Sequence, residues 1–324
     1  MPVGTSTTSK FVLVTGGAGF VGSHLVDRLL EADNVRLTVI DNLHTGRKAN
    51  IAHWLNDPRF TFIQADVRSL DIKASIETKW SEIYHLACPA SPPHYQEDAI
   101  ATIETCVIGT RNIMEVAKAT GARVLFASTS EVYGDPQEHP QREDYWGHVN
   151  SCGLRSCYDE GKRCAESLLY AYARQYQVPV RVARIFNTYG PRMDENDGRV
   201  VSNFVVQALK GEPLSIYGTG QQTRSFQYVA DLVNGLTRLM KHENWQEPVN
   251  IGNPQEYSIL KFAELIKELT GSASNVIHTE EAPDDPKQRC PDISRAKAVL
   301  DWEPRVDIKD GLRETIEYFR QQIN

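Results

Sequence analysis

Apolar positions from Phe11 onward fall in short runs separated by segments of helical period. Phe11 to Thr15 is one run and Arg36 to Asp41 the next, and Gly22 to Ala32 between them gathers its apolar residues on one face of a helix. Strand, glycine turn, helix and strand predict a βαβ unit. Further apolar runs lie at Phe60 to Gln64, Glu82 to Leu86, Val124 to Ser128 and Val180 to Ile185, each set off by helical or turn-rich sequence. Runs that are apolar at nearly every position suit strands covered on both faces. The pattern therefore predicts an α/β fold, a Rossmann-type doubly wound parallel sheet with helices on both sides.

The character changes after Gly190-Pro191-Arg192. Met193 to Arg199 reads as a polar loop, Val201 to Lys210 as a helix, and Gly218 to Gln222 as a glycine turn. Arg224 to Val229 and Pro248 to Ile251 are short strand-like runs expected to return to the main sheet. Helices are expected at Ile259 to Leu269 and Ile308 to Gln322, with an acidic, proline-containing loop from Glu280 to Pro286. The division is thus a polar, disordered tail over 1–10, a Rossmann domain over 11–190, and a smaller C-terminal region over 191–324 with segments near 224–251 contributing to the main sheet.

Composition narrows the function classes. The chain has 324 residues, 41% hydrophobic and 24% charged, with a net charge of −7. That acidic balance, without a long basic run, argues against nucleic acid or an acidic membrane surface as the main partner. No apolar stretch approaches the ~20 residues of a membrane span. The six cysteines, Cys88, Cys106, Cys152, Cys157, Cys164 and Cys290, form no CxxC pair and no His/Cys cluster at metal-ligand spacing. Reduced thiols in a cytoplasmic protein, with no metal site, are the expectation.

Gly16-Gly-Ala-Gly19-Phe20-Val21-Gly22 sits between the first strand and the first helix. Glycines at this spacing let the backbone approach a pyrophosphate and aim helix N-terminal amides at it. Asp41 closes the next strand about 20 residues on, where a carboxylate accepts both adenosine ribose hydroxyls and repels a 2′-phosphate, so NAD is expected over NADP. Asp66 and Val67 are candidate adenine contacts, although an aspartate there also suits a turn cap. Leu86, Ala87 and Pro89 end the fourth strand, on the expected nicotinamide side of the sheet edge.

Tyr158 and Lys162 stand four apart on one predicted helical face. An ammonium beside a phenol favours its ionised form and can make it a general base; the same spacing also describes a solvated surface pair. Ser128-Thr129-Ser130-Glu131 emerges from the fifth strand at the same sheet edge. Its hydroxyls can bind a sugar hydroxyl or the tyrosine, and Glu131 can serve as proton donor or water activator if desolvation raises its pKa. A helix cap is the plainer reading of the same residues.

These motifs together resemble the extended short-chain dehydrogenase/reductase family that acts on nucleotide sugars. More narrowly, Pro89 to Pro93, Ser130 to Pro136, Glu143 to His148, Tyr158 to Arg163, Arg184 to Asn187 and Asp197 to Asn203 are similar to the UDP-glucuronic acid decarboxylases, over nearly the whole chain from Phe11. The resemblance implies UDP-glucuronate as substrate and tightly held NAD. C4 is oxidised with Tyr158 as base, aided by Lys162 and Thr129 or Ser130. The 4-keto acid then loses CO₂ with help from Glu131 and Arg289, and C4 is reduced again to give UDP-xylose. It adds Asn42, Thr45, Gly46, Thr105 and Thr188 to the cofactor contacts. It places Asn187, Arg199, Val200, Ser215, Tyr217, Arg224 and Arg289 around the UDP group, and it implies a homodimer through helices near Ile100 to Thr120 and Ser156 to Tyr176.

Two departures from the family pattern stand out. Asn150 to Ser156 lacks two prolines expected in the loop leading to the tyrosine helix, which loosens that entry without removing a chemical group. Glu104 occupies a position where relatives carry lysine, so it either repels the substrate acid or points to solvent. Three other outcomes remain open: a UDP-sugar 4-epimerase or 4,6-dehydratase, since both begin with the same C4 oxidation; a decarboxylase that releases the 4-keto-pentose; and a dinucleotide-binding protein without activity.

Overall fold

Six strands follow the expected apolar runs: β1 (Lys10–Thr15), β2 (Val35–Asp41), β3 (Phe60–Gln64), β4 (Glu82–His85), β5 (Arg123–Thr129) and β6 (Val180–Ile185). A seventh, β7 (Pro248–Ile251), completes an all-parallel sheet in the order β7-β6-β5-β4-β1-β2-β3. The chain reverses direction of travel between β1 and β4, and a doubly wound sheet opens a crevice at such a point, beyond the carboxyl ends of its strands. This computed structural model describes residues 9–75, 77–280 and 288–323. The expected tail therefore lies outside the described residues as far as residue 8, and the acidic loop does so over 281–287.

Alternation along each strand sends side chains to two cores. Leu13, Ile83, Val124, Phe126, Val180 and Val182 pack with residues of the helices Thr110–Thr120 and Ser156–Tyr176. Val12, Val14, Leu37, Val39, Leu125, Val249 and Ile251 face the helices Phe20–Leu30 and Val229–Lys241. The second core continues without a break into the C-terminal region through Phe204, Phe262, Trp302 and Leu312. No helix among the described residues is long and apolar enough to cross a membrane.

Two expectations need correction. Lys10 is not part of the tail: its amide bonds Asn34 O at 2.8 Å and its ammonium pairs with buried Glu82, so it opens β1. Pro248–Ile251 does return to the main sheet, but the 224–229 run does not. β6 offers one free edge, and β7 fills it. Thr223–Ser225 instead pairs with Glu256–Ser258 and Gln288–Arg289, while Gln227–Tyr228 pairs with Thr188–Tyr189. That detour carries Arg224 and Arg289 to the open end of the sheet. The helical stretch beginning at Ala99 also contains a π turn, Thr105–Gly109, that the periodicity does not announce.

Phe262 is fully buried, stacks on Phe226 at 4.3 Å between ring centres and also faces Phe204 and Tyr257. Phe262→Ala should cost about 3–5 kcal/mol, read as a lower midpoint in urea denaturation. An unchanged midpoint would mean that this aromatic cluster does not hold the C-terminal region in place.

Candidate active site

A single cavity of about 700 Å³ runs along the carboxyl edge of the sheet and across to the C-terminal region. Gly16 has φ +74°, and a side chain there would strike Ala87 N at 2.8 Å; one at Gly22 would meet Gly16 O at 2.0 Å. Bare backbone thus forms the cradle, and the eleven-residue helix Phe20–Leu30 points its free amides into it, the arrangement a pyrophosphate needs. Asp41 accepts Ala18 N at 2.9 Å and Leu43 N at 2.8 Å, and burial raises its pKa. Its carboxylate therefore fixes the cradle while still lining the cavity, as the glycol-binding acid of a dinucleotide site must.

Asp66 caps the turn Val67–Ser69, accepts Asn42 Nδ2 at 3.0 Å, and is drawn down to about 2, chiefly by its Arg68 hydrogen bonds. The turn cap is the plainer reading of Asp66, and the same residue also lines the cavity. Thr45, Leu86, Ala87, Pro89, Thr105 and Thr188 lie on the same wall as Phe20 and Val21. Gly46 does not line the cavity; a Cβ there would stand 2.9 Å from both Asp41 carboxylate oxygens and displace them. The Thr105 hydroxyl is engaged by Ala101 O at 2.7 Å, and that of Thr188 by Phe186 O at 2.9 Å.

Tyr158 and Lys162 are both buried and both reach the cavity from the helix Ser156–Tyr176. The ammonium donates to Ala127 O at 2.9 Å and lies 4.7 Å from the centre of the Phe126 ring and 5.7 Å from that of Tyr158. The expected lowering of the phenol pKa is not found in the protein alone. Burial pushes Tyr158 well above its ordinary value, Cys88 adds to the rise, and the Thr129 hydroxyl works against it. Beneath, His85 bridges Thr15 Oγ1 at 2.7 Å and Thr110 Oγ1 at 3.1 Å; burial and the Lys162 charge bring it down to about 3, so it stays neutral.

At Glu131 the condition for a proton donor, a pKa raised by desolvation, is not met. Burial would raise its pKa, but Arg155 at 2.5 Å and Arg289 at 3.0 Å outweigh it and bring it to about 2. It is a fixed carboxylate rather than a proton donor. Arg289, 2% exposed, also donates to Ser130 Oγ at 3.0 Å and Gly134 O at 2.9 Å. Beside them Asp159 is buried with one oxygen unpartnered, and its pKa is pushed up to about 8 by burial and the Glu131 charge. Ser128 lines the cavity but donates its hydroxyl to Glu166, which in turn holds Arg184.

Arg199, Arg224, Asn187, Val200, Ser215 and Tyr217 line the same cavity as Arg289. Val200 starts an eleven-residue helix whose N-terminal amides join the guanidinium groups, a combination suited to a diphosphate. Arg199 stays charged because Asp197 offsets its burial. Glu104 faces elsewhere: it is partly exposed, pairs with Arg68 at 3.4 Å and does not line the cavity. The 150–156 loop, despite its missing prolines, delivers Arg155 to Glu131.

Sequence reasoning overlooked Arg155, which lay in a run read only for its prolines. It overlooked Tyr95, whose ring lies parallel to that of Tyr158 at 5.0 Å and whose buried hydroxyl has no partner. The contact between Cys88 and Cys106 was missed as well. No spacing rule links residues so far apart in the chain.

Comparisons with known proteins agree with this geometry. A GDP-mannose 4,6 dehydratase family model matches residues 13–315. A Xenopus tropicalis protein named UDP-glucuronic acid decarboxylase 1 is 57% identical over 314 residues, spanning 97% of this chain and 73% of its own. UDP-glucuronic acid decarboxylase 3 of Arabidopsis thaliana is 53% identical over 97% of this chain and 90% of its own. Among solved structures, Bacillus cereus UDP-glucuronic acid 4-epimerase, in complex with UDP-glucuronic acid and NAD, superposes with a TM-score of 0.88 at 28% identity, over 96% of this chain and 99% of its own. With a relative this similar over nearly all of its length, and with the fingerprint, tyrosine helix and arginine-held glutamate on one cavity, the chain belongs to the UDP-glucuronic acid decarboxylase family of extended short-chain dehydrogenases/reductases.

Proposed function

We propose that the protein converts UDP-glucuronate to UDP-xylose and CO₂ with bound NAD. The observation that carries this reading is Glu131, held ionised between Arg155 and Arg289 on the same cavity as Tyr158, in a chain 57% identical to a UDP-glucuronic acid decarboxylase. Gly16, Gly19, Gly22 and Asp41 hold the dinucleotide, while Arg199, Arg224 and the start of the helix at Val200 hold the diphosphate. NAD, when bound, accepts the hydride of C4 and later returns it, so the net reaction is redox-neutral.

Tyr158, in the phenolate form that burial alone disfavours and the cationic nicotinamide ring of bound NAD would favour, takes the proton of the sugar 4-hydroxyl, with Lys162 and Thr129 supporting it. The carboxylate is then β to a ketone. Breaking the C5–C6 bond releases CO₂ and leaves its electron pair as an enolate on O4. Glu131, with its pKa near 2, has no proton to give at neutral pH. It orients a water instead, and C5 takes its proton from that solvent source. Tyr158 returns its proton to O4 in the last step.

The homodimer is a further proposal, through the helices near Ile100 to Thr120 and Ser156 to Tyr176. Ile100 at 73% exposure and Ile103 at 40% support such a surface. Light scattering should give twice the chain mass; the single-chain mass would reject it. We also infer a cytoplasmic location, supported by six cysteines of which none is bridged.

Incubation with UDP-glucuronate in deuterium oxide should release CO₂ and give UDP-xylose labelled at C5 and unlabelled at C4, read by NMR. Epimerised acid without CO₂ would favour the epimerase reading, and accumulation of the 4-keto-pentose would show a decarboxylase that stops short of reduction. Tyr158→Phe should keep UDP-sugar affinity and lose about 10²–10⁴-fold in kcat. Near-normal turnover in that variant would remove the tyrosine from the mechanism.

Asp159 supplies a pH test. Folded, it keeps its proton to about 8; unfolded, it loses it near ~3.9. Between those values the folded chain holds the extra proton, so this group makes stability fall as pH rises. Asp159→Asn should flatten that slope between pH ~5 and ~8 in thermal melts. Parallel curves for the two proteins would mean that Asp159 ionises normally.

A further inference from the structure

Cys88 and Cys106 carry a property that the reaction does not require. Cys88 follows β4, on the wall expected to face the nicotinamide, and lines the cavity; Cys106 is buried in the π turn of Thr105–Gly109. Their sulfurs are 3.3 Å apart. Cys106 reaches this position because Gly161, between Tyr158 and Lys162 on the tyrosine helix, has no side chain: a Cβ there would stand 3.0 Å from Cys106 Cβ and 3.2 Å from its sulfur. Two thiols in contact beside a fixed ammonium, one of them open to a solvent-accessible cavity, are the elements of a redox pair.

We propose that Cys88 and Cys106 are a peroxide-sensitive dithiol whose conversion to a disulfide, within the wall of the active site, suppresses turnover until a thiol reductant restores it. Cys88 is the attacking sulfur. Burial opposes its thiolate, but the Cys106 contact and the Lys162 charge together outweigh it, while the neighbouring Cys88 sulfur and burial keep Cys106 protonated. The Cys88 thiolate attacks one oxygen of hydrogen peroxide, the O–O bond breaks, and the displaced hydroxide takes a proton to leave as water. The Cys88 sulfenic acid that results is attacked by Cys106. The S–S bond forms, the sulfenic hydroxide leaves, and it takes the Cys106 proton to become a second water. Each sulfur loses one electron, and the peroxide gains both.

Closure has a mechanical consequence. Drawing sulfurs from 3.3 Å to bonding distance moves them by about 1 Å relative to one another. Cys88 is attached to Ala87 and Pro89 on the cavity wall, and Cys106 to Thr105 and, by contact, to the tyrosine helix at Gly161. A displacement of that size beside reacting atoms is enough to cost about 10–100-fold in rate. Cys157 is the other nearby thiol, but its sulfur is turned to Tyr95 O at 3.4 Å.

The test treats the reduced, NAD-loaded protein with a small excess of hydrogen peroxide, then blocks free thiols and maps peptides by mass spectrometry. The expected result is a peptide pair joined through Cys88 and Cys106, with a fall in kcat of about tenfold or more that dithiothreitol reverses. Cys106→Ser should show neither the cross-link nor a dithiothreitol-reversible loss, each judged against the variant's own reduced activity. Cross-linking of Cys88 to Cys157, recovery of Cys88 only as free thiol or sulfinic acid, or a cross-linked enzyme with unchanged kcat would each overturn the proposal. The cross-link is read by mass alone, so its absence is distinguishable from an error in the proposed substrate.

Discussion

The fork of Arg289 is the interaction on which the site depends. It sits on a two-residue strand in register with Arg224, at 2% exposure, yet its two terminal nitrogens end on Ser130, Glu131 and Gly134 from the other half of the chain. A guanidinium buried this deeply is tolerable only if paired, and removing either partner leaves a charge stranded in a medium that cannot solvate it. The C-terminal region is therefore committed to the sheet edge by the same group that fixes the Glu131 charge. Docking and site assembly become one event, and the continuous core beneath, from Val12 through Phe262 to Leu312, stabilises the same arrangement without directional demands.

Charge around Tyr158 is set collectively rather than by the Tyr158–Lys162 pair. Lys162 is held on Ala127 O and over the Phe126 ring, and its field acts on His85 and Cys88 as well. His85 answers by remaining neutral, which spares the site a second cation under the sheet edge. The phenol, stacked on Tyr95 and desolvated, sits above its ordinary pKa and depends on the Thr129 hydroxyl for local relief. A change at any of these neighbours shifts the base without touching it.

What the sequence made legible follows from its local rules. Seven parallel strands, the glycine cradle and the Asp41 carboxylate rest on periodicity and turn chemistry that act within about 30 residues. Tyr158 and Lys162 were paired by helical geometry alone. Arg155 with Glu131, Tyr95 with Tyr158, and Cys88 with Cys106 come together only when separate elements pack, and no residue type announces its partner across such a gap. The 224–229 run shows the same limit: its composition permits a main-sheet strand, but the edge had already gone to β7. The proton state of Glu131 was left conditional on burial, and only the packing of Arg155 and Arg289 around it shows that the condition is not met.

Oxidation at C4 is common ground for sugar-nucleotide epimerases, dehydratases and decarboxylases, so specificity must lie in what happens to the 4-keto sugar. In the proposed reaction negative charge leaves the carboxylate as neutral CO₂ departs and reappears on O4. A site that clamped the substrate acid with free arginines would stabilise the ground state and slow that step. Here Arg155 and Arg289 are already engaged by Glu131, and Asp159 beside them is uncharged at neutral pH, leaving about one diffuse positive charge. In the proposed reaction an acid beside this cluster would meet a field and not a fork. Tyr158, Thr129 and Ser130 line the same cavity, and in the proposed reaction the Tyr158 proton and the two hydroxyls would serve the oxygen where charge develops, which would put the stronger, preorganised stabilisation on the enolate side of the transition state.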